Sequence, residues 1–342
     1  MIYLDNAATS FGTIENSARR FWANASSRTH PLGLETRKEV ERARESLAEL
    51  VGLHRPELLV FTSGATESAS IIIEALRKSH TLQSSEVEHS CVSRHVPLNC
   101  PTTDCPEAYF QMLINNETGI EYSSPKYRNG LIVSDITQAV AKVNAAQDVN
   151  FADIRFGSAH KFHGPLGVGF IAVREIDLWE LLRRPENAGS QERGVRPGTL
   201  NSPAIVETGS VARWMLKNCS EYRSHLRCLQ TSFEEAIMSL CGCKIIGAES
   251  PRAPHITSLN LPGVDNEALI AAVNDRLAIS SGSACTSDKV KPSHVLMAMF
   301  NDQEIADSTV RVSFGWSNTI EEVKVAAQII ADAAVTIRSF YS

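Results

Sequence analysis

The sequence predicts an α/β fold: a large domain built on a mainly parallel sheet flanked by helices, followed by a smaller α+β C-terminal domain. Three observations carry this. Short apolar runs of strand length alternate with amphipathic stretches of helix length. The strand–helix–strand order argues for a parallel sheet covered on both faces. At 342 residues the chain is long enough to bury a sizeable core and to divide into two lobes.

The elements follow in order. Residues 35–51 read as a helix, with Val40, Ala43, Leu47 and Leu50 on one face and charges opposite. Leu58-Leu59-Val60-Phe61 is a short buried strand, and Thr62-Ser63-Gly64-Ala65-Thr66 turns into a helix over 67–77. Such a junction aims backbone N–H groups at an anion, as in phosphate sites at helix N-termini. Leu131-Ile132-Val133-Ser134-Asp135 is a strand ending in an acid, and an apolar strand over 168–173 follows a Gly/Pro turn. Ligands of a parallel sheet bind beyond the carboxyl ends of its strands, where Thr66, Asp135 and Lys161 fall. From Glu221 onward the pattern gives a helix over 222–240, a strand over 257–261, a helix over 266–278, a strand over 309–313 and a closing helix over 320–341. No internal repeat or low-complexity tract interrupts it.

Composition excludes several classes. A formal charge of −6 gives no field to draw the chain to nucleic acid. With 43% hydrophobic and 21% charged residues it reads as an ordinary globule. There is no apolar run of transmembrane length, and the opening Met1-Ile2-Tyr3-Leu4-Asp5 does not read as a signal peptide, so a cytoplasmic protein is expected. The eight cysteines contain no C-x-x-C pair and no His/Cys grouping with zinc spacing. No metal is expected, and the thiols should be free in a reducing compartment. Cys241-Gly242-Cys243 reads as two ordinary thiols near a turn.

Two segments carry chemistry. In Ser280-Ser281-Gly282-Ser283-Ala284-Cys285-Thr286-Ser287 a cysteine sits among small, hydroxyl-bearing residues with little to pack into a core. A thiol there can reach solvent and a ligand, as a nucleophile must. In Gly157-Ser158-Ala159-His160-Lys161-Phe162-His163-Gly164-Pro165 a lysine follows Ser-x-His. That setting suits a Schiff-base amine in a phosphate-bearing site, with Ser158 and His160 as phosphate donors. Taken singly, each also has a plainer reading: an idle loop thiol and a solvated surface lysine.

The chain resembles a class V, fold-type I pyridoxal-phosphate (PLP) enzyme, specifically a cysteine desulfurase of the NifS/IscS group. The matching blocks run nearly end to end. They are Tyr3-Leu4-Asp5-Asn6-Ala7-Ala8-Thr9, the 24–33 segment with Ser26-Ser27-Arg28-Thr29-His30, Phe61-Thr62-Ser63-Gly64-Ala65-Thr66-Glu67-Ser68, Glu88-His89 and Asn115-Asn116-Glu117-Thr118-Gly119. Asp135-Ile136-Thr137-Gln138, the lysine block, Gln191-Glu192-Arg193-Gly194-Val195-Arg196-Pro197-Gly198-Thr199, the cysteine block and Val310-Arg311-Val312-Ser313-Phe314-Gly315 continue the order.

The resemblance implies a large PLP-binding domain over 13–220 and a small domain made of 1–12 and 221–342, which carries the cysteine loop. It implies that Lys161 holds PLP as a Schiff base and moves the substrate's Cα proton, and that Asp135 pairs with the pyridinium nitrogen. His89 would stack on the ring and shuttle protons, and Gln138 would bond the phenolic oxygen. Ala65, Thr66, Ser158 and His160 would hold the phosphate, joined by Thr199 from a partner subunit, which implies a homodimer. Arg311 and Asn116 would take the substrate carboxylate. Cys285 would accept sulfur from L-cysteine as a persulfide and pass it to an acceptor protein, leaving L-alanine.

The chain departs from the family pattern in places. It is short between His89 and Asn115 and between Asn116 and Asp135. Ile136 stands where an alanine is usual, Leu166 where a lysine is common and Ala159 where a glycine is common. The resemblance leaves open a selenocysteine lyase, another class V enzyme or a non-catalytic scaffold. It also leaves open whether the acceptor serves iron–sulfur assembly, tRNA thiolation or DNA phosphorothioation. No direct contact with nucleic acid or membrane is expected.

Overall fold

The computed structural model describes residues 1–8, 23–97, 108–123, 130–143, 151–183, 189–282 and 292–341. Among these residues lie twelve strands: β1 (Ile2–Tyr3), β2 (Leu59–Thr62), β3 (Leu82–Ser84), β4 (Ala108–Phe110), β5 (Leu131–Asp135), β6 (Ile154–Ser158), β7 (Gly169–Val173), β8 (Lys244–Ile245), β9 (Ile256–Asn260), β10 (Leu277–Ala278), β11 (Ser280–Ser281) and β12 (Thr309–Ser313). The chain divides into two compact units, one of Phe11–Leu113 with Tyr122–Cys219 and one of Met1–Ser10, Ile114–Glu121 and Ser220–Ser342. Residues 114–121, placed in the large domain by the family pattern, group with the second unit.

The first unit holds a six-stranded sheet in the order β2-β7-β6-β5-β4-β3. β3, β4, β5 and β6 are mutually parallel, while β7 runs against both β6 and β2. Five strands therefore point one way and only β7 is reversed. β2, β6 and β7 are buried along their whole length; β2 and β7 accordingly read as continuous apolar runs, whereas β6 carries Arg155 and Ser158 and does not.

The helix Pro31–Leu50 starts earlier than its apolar pattern suggests. His30 adopts extended backbone and its Nδ1 accepts from the Gly33 N–H at 3.1 Å, and Pro31 occupies the first turn, where its missing N–H costs nothing. Val40 and Leu47 on its inner face are essentially inaccessible, each worth roughly 1.5–3 kcal/mol of burial. The helix Ser202–Leu240 runs 39 residues without a break, whereas only its second half is legible as helix. Thr208-Gly209-Ser210 weakens the local helix signal. Packing supplies what propensity lacks: a Cβ at Gly209 would lie 2.4 Å from the Ala43 Cβ, so glycine lets this helix approach Pro31–Leu50 closely.

One buried ion pair ties this unit together. Arg44 donates to both carboxylate oxygens of Glu192, at 2.7 and 2.8 Å, and to the Leu59 carbonyl at 2.7 Å. Glu192 also accepts from the Phe61 N–H of β2 at 2.7 Å. Burial alone pulls the Arg44 guanidinium down, but the charges and bonds of Glu192 and Glu41 outweigh it and hold the cation above its ordinary range.

The second unit contains an antiparallel sheet, β11-β12-β9-β8, and a parallel pair, β1-β10. Ile2 pairs with Leu277, and this pairing explains why the helix Asn266–Val273 ends earlier than the expected 266–278. Residues 277–278 are claimed by the N-terminal strand instead. The C-terminal helix Ile320–Tyr341 opens with a capping box: Thr319 Oγ1 accepts from the Glu322 N–H at 3.2 Å, and Glu322 accepts from the Thr319 N–H at 3.0 Å. Among the described residues no helix is long and apolar enough to cross a membrane.

Candidate active site

The common direction of β2, β3, β4, β5 and β6 puts their carboxyl ends along one edge of the sheet, and the chain leaves that edge through chemistry-bearing residues. After β2 comes Gly64 and the helix Ala65–Leu76; after β3 comes Glu88-His89; β5 ends in Asp135; β6 leads into the tight turn Ala159–Lys161. The reversed β7 makes β6 and β7 a hairpin, with Lys161 near the start of its connection. A Cβ at Gly169 would sit 2.5 Å from the Gly64 Cα, so glycine lets β7 pass under the β2 turn. A Cβ at Gly64 would in turn lie 3.8 Å from the Ser158 Oγ. The start of the Ala65–Leu76 helix and Ser158 therefore border one spot, and Gly64 places no capping side chain over that helix end. Ala65 is half-buried and Thr66 exposed there.

Asp135 is buried, and its Oδ1 accepts from the Thr137 N–H at 2.8 Å. Burial pushes its carboxyl above the ordinary range, opposed by the Thr137 bonds and by the positive charges of His89 and Lys161. Those two residues thus lie within electrostatic reach of Asp135. His89 is half-buried and caps the short helix Ser90–Ser93, its Nδ1 accepting from the Cys91 N–H at 3.2 Å. The proton of the neutral ring then belongs on Nε2. Beside it, the fully buried Glu88 carboxyl accepts on one oxygen from Ser85 Oγ at 2.6 Å and the Met112 N–H at 2.7 Å. Burial drives Glu88 up to about 7 despite those bonds, with the Asp135 charge adding to the rise.

Lys161 is half-buried. Burial, then the charges of Lys161 and Lys142, push His160 down to about 4, so its imidazole is neutral near pH 7. Lys142 escaped the sequence reading. Its Nζ donates to the Lys161 carbonyl at 2.6 Å and to Gln138 Oε1 at 3.4 Å, and it is 1% exposed. A lone lysine inside the otherwise uncharged run 136–143 was the available signal. Ile136 is fully buried. Thr199 stands exposed after Gly198, whose φ is +104°; among the described residues no hydrogen bond joins it to the Lys161 cluster.

In the second unit, Arg311 on β12 is buried; it donates from Nη1 to the Asn116 carbonyl at 2.8 Å and from Nη2 to Asp5 at 2.9 Å. Its Nε and the Asn116 side-chain oxygen are buried without a hydrogen-bond partner. Asp5 also accepts from Ser280 Oγ at 3.0 Å, and Ser280 pairs with Arg311 across β11 and β12. Cys285 lies outside the described residues. Of the cysteines within them, Cys91 is held well above the ordinary thiol range by burial, then by the Asp135 and Glu88 charges, and Cys243 is pushed up to about 12, chiefly by burial. Among the described residues no three His, Cys, Asp or Glu side chains gather in a metal-binding group.

Lysine, aspartate, histidine and a helix N-terminus thus lie along one edge of the sheet, and residues 2–97 and 104–325 match the family model described as "Aminotransferase class-V". The chain belongs to that family. Within it, the chain is 32% identical over 358 residues to "Cysteine desulfurase IscS" of Rickettsia bellii (strain OSU 85-389), covering 93% of this chain and 85% of that protein. It is 30% identical over 382 residues to "Cysteine desulfurase, mitochondrial" of Saccharomyces cerevisiae (strain ATCC 204508 / S288c), covering 98% and 76% respectively. The solved structure of a "NIFS-LIKE PROTEIN" superposes with a TM-score of 0.82 at 26% identity, covering 98% of this chain and 99% of that one.

Proposed function

We propose that the protein is a PLP-dependent cysteine desulfurase that takes sulfur from L-cysteine, forms L-alanine and passes the sulfur through a persulfide on Cys285 to an acceptor protein. The observation that carries this reading is the placement of Lys161 and Asp135 in electrostatic reach of each other at the carboxyl edge of the sheet.

The residues present fit the cofactor. A buried carboxyl at a strand end suits a pyridinium nitrogen, and a lysine in the adjoining hairpin suits its aldehyde carbon. An uncapped helix N-terminus beside Ser158, with a neutral His160, suits its phosphate. When bound, PLP supplies an electron-withdrawing ring that takes up the electron pair left when a substrate Cα proton departs. Lys161 holds it covalently and carries that proton. Asp135 would pair with the ring nitrogen and keep it protonated, a positive charge there favouring the ionised carboxylate that burial opposes. His89, with Nδ1 engaged by the Cys91 N–H, presents Nε2 for stacking and proton transfer. Ala65, Thr66, Ser158 and His160 bind phosphate, and Gln138 binds the phenolic oxygen. Thr199 serves the site of a second copy, making the enzyme a homodimer. Arg311 and Asn116 receive the substrate carboxylate; the unpaired Arg311 Nε is a buried donor suited to it.

Sulfur transfer is a thiolate attack. The Cys285 thiolate bonds to the substrate sulfur as the Cβ–S bond breaks, and the electron pair passes to the carbon side, where protonation yields alanine. Burial raises the thiols of Cys91 and Cys243 and so disfavours the thiolate that such a nucleophile needs at neutral pH. The experiment is sulfide release from L-cysteine with a thiol reductant. Wild type should release sulfide and alanine in equal amounts, Cys285→Ser should release almost no sulfide, and Lys161→Ala should lose the visible absorbance of the lysine-bound cofactor. Full sulfide production by Cys285→Ser would overturn the assignment. Trapping the persulfide on its acceptor by pull-down then identifies the pathway.

A further inference from the structure

Lys142 occupies a place that a lysine takes only for cause. It is 1% exposed, and an amine so deeply buried is unfavourable unless its donors are satisfied. They are: one bond runs to the Lys161 carbonyl at 2.6 Å, the other to Gln138 Oε1 at 3.4 Å. Lys142 leaves the turn that follows β5, which ends in Asp135, and reaches the turn that follows β6, which carries Lys161. One side chain thus ties together the carboxyl ends of two neighbouring strands. The preceding Ala141 has φ +65°, a left-handed conformation that an alanine holds only where its surroundings over-determine it.

The consequence is geometric. Asp135 and Lys161 would hold opposite ends of one planar ring, so their separation must match the ring. Lys142 bridges the two turns that set that separation. Its bond to Gln138 also takes up the amide oxygen, which directs the amide N–H groups elsewhere as donors. A donor is what a phenolate oxygen on the ring requires.

We propose that Lys142 is a positioning residue: it sets the spacing of Lys161 from Asp135 and the orientation of the Gln138 amide, and so pre-forms the cofactor seat. This rests on the assignment of Lys161 and Asp135 above. Lys142→Met keeps the length and apolar character of the side chain but removes both donors. The expected result is an apo protein with unchanged far-UV circular dichroism. Its PLP dissociation constant should rise about tenfold, equivalent to about 1.4 kcal/mol. The visible circular dichroism per bound cofactor should fall, because a loosely seated ring loses its fixed asymmetry. Borohydride trapping and peptide mass mapping should still find the cofactor on Lys161. An affinity within about twofold of wild type together with unaltered visible dichroism would overturn the proposal. Lys161→Ala, measured alongside, tests the underlying assignment separately: wild-type trapping on another lysine, unaffected by Lys161→Ala, would sink that assignment and this proposal with it, whereas trapping on Lys161 with unaltered Lys142→Met affinity would sink this proposal alone. If Lys142→Met does not fold, Lys142→Gln retains a shorter donor that cannot span both acceptors, and the same measurements apply. Failure of both variants to fold without cofactor would show a role in folding alone and would equally overturn the proposal.

Discussion

Glu88→Gln turns a buried carboxyl into a direct test of the electrostatics at the sheet edge. In the folded protein burial drives Glu88 up to about 7, the Asp135 charge adds to the rise, and the bonds from Ser85 and Met112 only partly offset it. In the unfolded chain the same group titrates near its ordinary value of about 4.3. Between those limits the folded state keeps a proton that the unfolded state has released. Stability therefore falls as pH rises through this window, and is fully retained only below the unfolded value. At about 1.4 kcal/mol per pH unit the total loss is roughly 3–4 kcal/mol, of which about 2–3 kcal/mol falls between pH 5 and pH 8. Glutamine has the same shape, can accept the same two bonds through its oxygen, and does not titrate. Urea unfolding of the apo protein at pH 5, 6, 7 and 8 should show Glu88→Gln gaining about 2–3 kcal/mol on wild type across the series. Curves that run parallel from pH 5 to pH 8 would refute the reasoning, because they would mean that Glu88 is ionised at the same pH in both states.

Three further outcomes follow from packing. Arg44→Met leaves the Glu192 carboxylate buried with the Phe61 N–H and no cation; the expected cost is about 3–5 kcal/mol, read by calorimetry as a fall of about 10 °C or more in the thermal midpoint. Gly209→Val forces its Cβ against both the Ala43 Cβ and the Ala43 Cα and should cost about 1–3 kcal/mol in denaturant, of which adding Ala43→Gly should recover only a part because the backbone Cα remains in the way. Ala141→Gly removes left-handed strain of about 1–2 kcal/mol against a glycine entropy cost of about 0.5–1 kcal/mol, so its unfolding midpoint should rise.

The parts of the fold that sequence reading captured are those settled locally. Strands 131–135 and 309–313 and the helix 320–341 carry their own apolar runs and boundaries, and each appears with the expected limits. The failures have distant causes. The first half of Ser202–Leu240 is helical because Gly209 packs on Ala43 far away in sequence, and the helix at Asn266 stops because Ile2 pairs with Leu277. The reversed direction of β7 is a matter of sheet pairing, which a short apolar run does not encode. At the site, His89 is picked out only by the family resemblance, while Asp135 and Lys161 stand out as residues of the right type at strand ends. Lys142 did not, because a buried lysine and a surface lysine are the same letter until the turns that surround it are placed.

The sheet edge sorts its titratable groups by burial. Burial pushes Glu88 up to about 7 and His160 down to about 4, so near neutral pH Glu88 is partly protonated and His160 is uncharged, and burial pushes Lys142 down as well. That leaves Asp135 and Lys161 as the opposed pair. Asp135 is itself strained upward by burial and is drawn back by the positive charges of His89 and Lys161. A cation beside it therefore favours its ionised form. If Lys161 gives up its charge on forming a covalent bond to a carbonyl compound, another cation can take over that role, and a protonated ring nitrogen is one that the same compound can bring. The protonation of Glu88 matters for the same reason: an ionised Glu88 sets a second negative charge within reach of Asp135, whereas a protonated one does not.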